Sequence, residues 1–195
     1  MVRTAADRAK PTVNILALSG SLRAASINSA LLRACARLAP PAVSVRIFTE
    51  VGALPLFNPD LEPSPPAAVV GFHRAVAQSD ALLIASPEYA HGVTGTLKNA
   101  LDWLVGFEAF AAKPVAVLNA SPRAHHADEA LRETLKTMAA VIVEPASIAI
   151  PLLGAHLDES GMVATPSVAT AIRGALDALQ QAVIGHDESG PYSAC

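Results

Sequence analysis

Three polar loops hold most of the residues that could do chemistry. The first reads Leu18-Ser19-Gly20-Ser21-Leu22-Arg23-Ala24-Ala25-Ser26-Ile27-Asn28 and lies between a short apolar run and residues that recur at helical spacing. That mixture suits an anion: Gly20 permits a tight turn, the hydroxyls and the amide supply donors, Arg23 supplies charge, and the helix points unpaired N–H groups at the same place. Plain capping of that helix by its serines is the other use of the same residues.

The second loop runs from Ser86 through Pro87, Glu88, Tyr89, Ala90, His91 and Gly92 to Trp103. Its backbone can donate to a planar heterocycle, and Tyr89 can pack on one. Within it, Thr94 reads as a helix cap, Lys98 and Asp102 as a pair one turn apart, and Trp103 as core or interface. The third loop is Asn119-Ala120-Ser121-Pro122-Arg123-Ala124-His125-His126, in which Ser121 and Arg123 can face a ligand. Adjacent histidines seldom share one ion, so no metal site is expected. No G-x-S-x-G elbow exists and neither Ser21 nor Ser121 has an evident base, which argues against a hydrolase.

Apolar runs of strand length alternate with helix-period segments along the chain. Strands are expected at Thr12 to Ser19, Val43 to Thr49, Ala81 to Ser86, Pro114 to Asn119 and Val141 to Ala149, and helices at Ser26 to Leu38, Pro66 to Gln78, Gly95 to Val105, His126 to Ala139 and Ser167 to Ile184. Glu50 to Pro65 and Pro151 to Pro166 read as irregular. Strict alternation with strands apolar on both faces indicates an α/β three-layer sandwich, a parallel sheet covered by helices on both sides. Gly20 lacks the partner glycines of a Rossmann turn, and no P-loop occurs. What remains is a flavodoxin-like sheet of five parallel strands in the order 2-1-3-4-5, with ligands outside the carboxyl ends of strands 1, 3 and 4. The three polar loops sit there.

One domain is expected over residues 12–185, with a flexible arm at 1–11 and a polar tail at 186–195. The 195 residues carry a net charge of −3, which disfavours nucleic acid. The apolar stretches are too short and interrupted for a membrane span, and two cysteines, Cys35 and Cys195, make no disulfide framework, so a reducing cytoplasmic setting is expected.

Gly20-Ser21-Leu22-Arg23 with Ser26 and Asn28, then Leu54-Pro55-Leu56-Phe57-Asn58-Pro59-Asp60-Leu61, then Pro87-Glu88-Tyr89 with Gly95-x-Leu97-Lys98-Asn99-Ala100-Leu101-Asp102-Trp103, together resemble the NADPH-dependent FMN reductase family, which includes quinone, chromate and azo-compound reductases. The resemblance covers Val13 to about Ile150. It implies non-covalent FMN, with Ser21, Arg23, Ser26, Ile27 and Asn28 around the phosphate, Pro87, Glu88, Tyr89 and Ala90 along the ring, and Ser121 closing the third side. It further implies electron transfer from NADPH or NADH to a small acceptor such as a quinone, free flavin, chromate or azo compound, and homodimers or homotetramers. Leu54, Leu56, Phe57, Phe107 and Phe110 are the apolar candidates for that association. No catalytic acid or base is expected, because the cofactor carries the chemistry. The sequence departs from the family pattern at Ala90, where many members have Asn, and after strand 4, where Pro122 to His126 replaces a glycine-rich run. An electron carrier or redox-sensing module without NAD(P)H turnover is the alternative; against a carrier, only Tyr89 is available to stack on the ring.

Overall fold

The computed structural model describes residues 12–121 and 123–188. The expected arm at 1–11, Pro122, and the end of the expected tail with Cys195 lie outside them. Five parallel strands form one sheet: β1 (Val13–Ser19), β2 (Val43–Ile47), β3 (Ala81–Ala85), β6 (Pro114–Leu118) and β7 (Val141–Ile142), in the order β2-β1-β3-β6-β7. Counting only these strands, the order is the expected 2-1-3-4-5. Pairing of Ser19 with Ala85 and of Ala85 with Leu118 brings the ends of β1, β3 and β6 side by side. A hairpin of β4 (Glu88–Tyr89) and β5 (Gly92–Val93) stands beyond the end of β3.

Helices α1 (Ile27–Leu38) and α6 (Pro166–Glu188) cover one face of the sheet, and α2 (Ala67–Ala77), α3 (Gly95–Asp102) and α4 (His125–Thr137) cover the other. Alternate residues of the three central strands, β1, β3 and β6, feed the two cores, as a pleat of period two requires. Ile15, Ala17 and Leu83 meet Leu31, Cys35, Ile172 and Leu176 on one side, while Leu16, Leu18 and Ile84 meet Phe72, Leu101 and Leu135 on the other. The buried aromatics Phe48, Phe72, Trp103 and Phe110 all belong to the second core; the first is aliphatic and rich in alanine.

Several boundaries differ from expectation. The first four strands are shorter by one or two residues, and α3 ends at Asp102 before tight turns that reach Val105. The strand expected over Val141 to Ala149 survives only at Val141–Ile142, because Pro145 offers no N–H to a ladder and the chain winds a 3-10 turn at Glu144–Ala146. Pairing resumes farther on, where the Ile150 N–H donates to the Asn119 carbonyl at 2.8 Å. The stretch read as irregular from Pro151 to Pro166 contains α5 (Glu159–Ala164), capped by Asp158, whose Oδ1 accepts the Gly161 N–H at 2.7 Å. Glu159 pairs with Arg33 at 2.8 Å and with Arg37 at 3.4 Å, fastening α5 to α1. Helix α6 runs four residues past the expected end, since one glycine costs a long helix only about 1 kcal/mol.

Cys35, buried against the sheet, has its thiol pushed up from 9.0 to about 12 by burial. The folded value lies above the unfolded one, so this group's contribution to stability is complete below pH 9.0 and is lost as pH climbs toward about 12. The full loss is about 4 kcal/mol on the scale of 1.36 kcal/mol per unit. Urea midpoints recorded against pH should fall more steeply for the parent than for Cys35→Ala above pH 9.0; parallel curves would show that the thiol does not govern alkaline stability.

Candidate functional site

The first loop is built around a close approach. The Gly20 N–H continues the sheet by donating to Ala85 O at 2.9 Å, and a Cβ at Gly20 would lie 2.1 Å from Ser86 Oγ and 2.7 Å from Ser86 Cβ. Thr94, the expected cap of α3, accepts from Leu97 N and also donates its hydroxyl to Gly20 O at 2.7 Å, joining the first loop to the second. Ser19 was not among the expected site residues, yet its hydroxyl meets Ser29 Oγ at 2.8 Å and accepts from Ser21 N at 3.2 Å, setting the path of the loop. Its position as the last residue of β1, beside the glycine, was the available signal.

Ser26 caps α1: its Oγ accepts from Ser29 N at 3.3 Å and its carbonyl from Ala30 N at 2.9 Å. The first N–H groups of a helix have no partner within it, so those of Ile27 and Asn28 are left to an outside acceptor. The Ser26 hydroxyl proton stays free to donate.

Two cavities adjoin at this loop. The larger, about 890 Å³, is lined by Ser21, Arg23, Ser26 and Tyr89, with Leu157 and Glu159 on its far wall. The smaller, about 250 Å³, lies between Pro87, Glu88, Ser121 and Arg123. Ile27, Asn28, Pro87 and Leu153 line both, so the two form one trough across the ends of β1, β3 and β6. The structure therefore brings together nine of the ten expected site residues. Ala90 lines neither cavity; it sits at φ +49° in the turn of the β4–β5 hairpin, followed by His91 at φ +58°.

Asn28 is buried, and its Oδ1 has no hydrogen-bond partner. A buried acceptor without a donor is costly, and here it lines the trough. A ligand with hydroxyls there would satisfy it. A phosphate at Arg23 and the α1 N-terminus, a hydroxylated chain past Asn28 and a flat ring between Pro87 and Ser121 match this donor and acceptor set, so the residues present fit FMN.

The hairpin is anchored to α4: Glu88 Oε2 accepts from Ala127 N at 2.8 Å, and the His91 ring packs at a tilt against His126 at 4.4 Å, which packs likewise against His125 at 4.1 Å. Among the described residues, no group of three or more His, Cys, Asp or Glu is placed to hold a metal ion. Lys98 pairs with Asp102 along α3, as expected. Behind the trough, α3 latches the Leu54 to Phe57 segment: Asn99 Oδ1 accepts from Phe57 N at 2.8 Å, Asn99 Nδ2 donates to Pro55 O at 3.0 Å, and Trp103 Nε1 donates to Pro55 O at 2.8 Å. Of the apolar candidates for association, Leu54 and Phe110 are buried in the core and Leu56 is exposed.

A family model described as NADPH-dependent FMN reductase matches residues 13–152. The NAD(P)H-dependent FMN reductase of Pseudomonas aeruginosa is 40% identical over 112 residues, 56% of this chain and 60% of that protein. The quinone reductase of Pseudomonas putida is 39% identical over 129 residues, 63% of this chain and 69% of that protein. Among solved structures, the flavoenzyme NAD(P)H:(acceptor) oxidoreductase FerB from Paracoccus denitrificans superimposes with a TM-score of 0.77 at 27% identity, covering 90% of this chain and 99% of that one. The chain spans about three fifths of the length of the first curated relatives it matches. With the motifs, the sheet order and a family match over most of its length, the chain belongs to the NADPH-dependent FMN reductase family.

Proposed function

We propose that the protein binds FMN non-covalently in the trough and transfers electrons from NADPH or NADH to a small acceptor such as a quinone, free flavin, chromate or azo compound. The observation that carries this reading is the pair of adjoining cavities that share Ile27, Asn28, Pro87 and Leu153, with the Asn28 amide oxygen buried and unpartnered. The relatives' names, an FMN reductase and a quinone reductase, support the reaction class. FMN, when bound, supplies the ring that takes a hydride from the nicotinamide and yields two electrons to the acceptor. Arg23 and the N–H groups of Ile27 and Asn28 hold the phosphate charge, aided by the hydroxyls of Ser21 and Ser26. Pro87, Glu88 and Ser121 border the ring, and Tyr89, 56% exposed, stands at the rim of the larger cavity.

Mixing protein, FMN, NADPH and a quinone and following the nicotinamide absorbance band tests the proposal. Oxidation that requires the protein and FMN and is accelerated by the quinone supports it; stoichiometric FMN without oxidation would favour an electron carrier or redox sensor. The same assay with NADH assigns the preferred donor. Arg23→Ala should weaken FMN binding by about 1.5–3 kcal/mol, the scale of a hydrogen bond to a charged group, and unchanged affinity in a fluorescence titration would remove Arg23 from the phosphate site.

The cytoplasm is the proposed location; no helix among the described residues is long and apolar enough to cross a membrane. Homodimers or homotetramers are proposed as well. Leu22 (64% exposed) and Leu56 (83% exposed) offer apolar surface for that association, and a monomer by light scattering would overturn it.

A further inference from the structure

Where family members often carry a glycine-rich run, this chain places an arginine at the open end of the smaller cavity. Arg123 lines that cavity opposite Glu88 and beside Ser121, and its guanidinium has no hydrogen bond or ion pair among the described residues. The turn that carries it is fixed from several directions. Asn119 Oδ1 accepts from Ser121 N at 2.9 Å and Asn119 Nδ2 donates to Ala124 O at 3.2 Å, so one amide spans the turn. Ser121 Oγ accepts from Arg123 N at 3.3 Å, and His125 Nδ1 lies 3.2 Å from the Arg123 carbonyl.

The nearby carboxylates are engaged elsewhere. Glu88 accepts from the first turn of α4, and Asp128 pairs with Arg132 at 2.7 Å. Arg33, which lines the larger cavity, is likewise paired, with Glu159. Arg123 thus brings a guanidinium without an ion-pair partner to the cavity that Arg23 does not line, and the Glu88 carboxylate borders the same cavity.

We propose that Arg123 is a specificity-determining residue that selects electron acceptors carrying an oxyanion, a carboxylate or sulfonate, by pairing with that group at the mouth of the ring slot. This rests on the reductase reading given above. A planar guanidinium offers forked donors to such a group and keeps its charge at any working pH. The pairing is partly open to solvent, so its effect is moderate and falls with added salt.

The test compares naphthoquinone sulfonate with plain naphthoquinone as acceptors for FMN-loaded parent, Arg123→Ala and Arg123→Lys. Arg123→Ala should raise the ratio of the sulfonate KM to the plain quinone KM about five- to tenfold, with Arg123→Lys between the two. Equilibrium dialysis of naphthoquinone sulfonate against the FMN-loaded proteins, without nicotinamide, should show the same order in Kd. An unchanged ratio together with unchanged Kd would overturn the proposal. So would a loss of FMN affinity in Arg123→Ala that accounts for the whole effect, because Arg123 would then hold the cofactor. If the parent oxidises neither NADPH nor NADH with either quinone, the reductase reading falls while the dialysis still decides the role of Arg123.

Discussion

Gly20→Ala is expected to lower stability by about 1–3 kcal/mol, the usual cost of overpacking, and to weaken FMN binding at least about tenfold. The added Cβ would stand 2.7 Å from Ser86 Cβ, a distance that rotation of the serine hydroxyl cannot relieve. Either the end of β1 or the start of the second loop must move, and each borders the trough. Several N–H and O–H contacts to the ligand then loosen together, each worth about 0.5–1.5 kcal/mol. A thermal melt reads the first effect and an FMN titration the second. Adding Ser86→Gly to the variant removes both near atoms and should restore most of the loss, which leaves a cycle whose coupling reports the contact itself. Wild-type behaviour of the single variant would mean that the loop is soft where the structure shows it tight.

Trp103→Ala should cost about 3–5 kcal/mol, the range for deleting a large buried aromatic. The indole is 3% exposed, meets the Phe57 ring edge-on at 5.0 Å, and donates to Pro55 O. Its loss leaves a cavity and takes one of two donors from the Pro55 carbonyl, so that Asn99 alone hydrogen-bonds the Leu54 to Phe57 segment to α3. Trp103→Phe keeps most of the packing and loses the donor, so it should cost clearly less. Urea unfolding measures both; a loss below about 1 kcal/mol for the alanine variant would show that Asn99 alone carries the latch.

The sheet order could be read in advance because the inner strands are near-continuous apolar runs and because the missing glycines removed the rival nucleotide folds. The gathering of Ser21, Arg23, Ser26 and Asn28 on one cavity was legible for a related reason: Ser26 caps α1, and Arg23 and Asn28 then fall beside the same helix start. Contacts between loops distant in sequence were not legible. Nothing in the spacing of Ser86 or Thr94 shows that they press on Gly20, and the Asn99 latch depends on where α3 lies against an irregular segment. The break in the last strand could be anticipated from Pro145, yet the apolar residues on either side outweighed it. Ala90 came with its neighbours from the family motif, and its positive φ in the two-residue turn of the hairpin was not legible in the spacing.

The uneven sharing of aromatics between the two cores also bears on how the molecule can be observed. Trp103 and the phenylalanines beside it report on the α2, α3 and α4 side of the sheet. The core beneath α1 and α6 contains no aromatic ring among its buried residues. Loosening of α1, the helix whose first turn belongs to the proposed phosphate cradle, would leave tryptophan emission and near-ultraviolet dichroism almost untouched. Amide exchange along α1, or the emission of bound flavin, is the signal that follows that half.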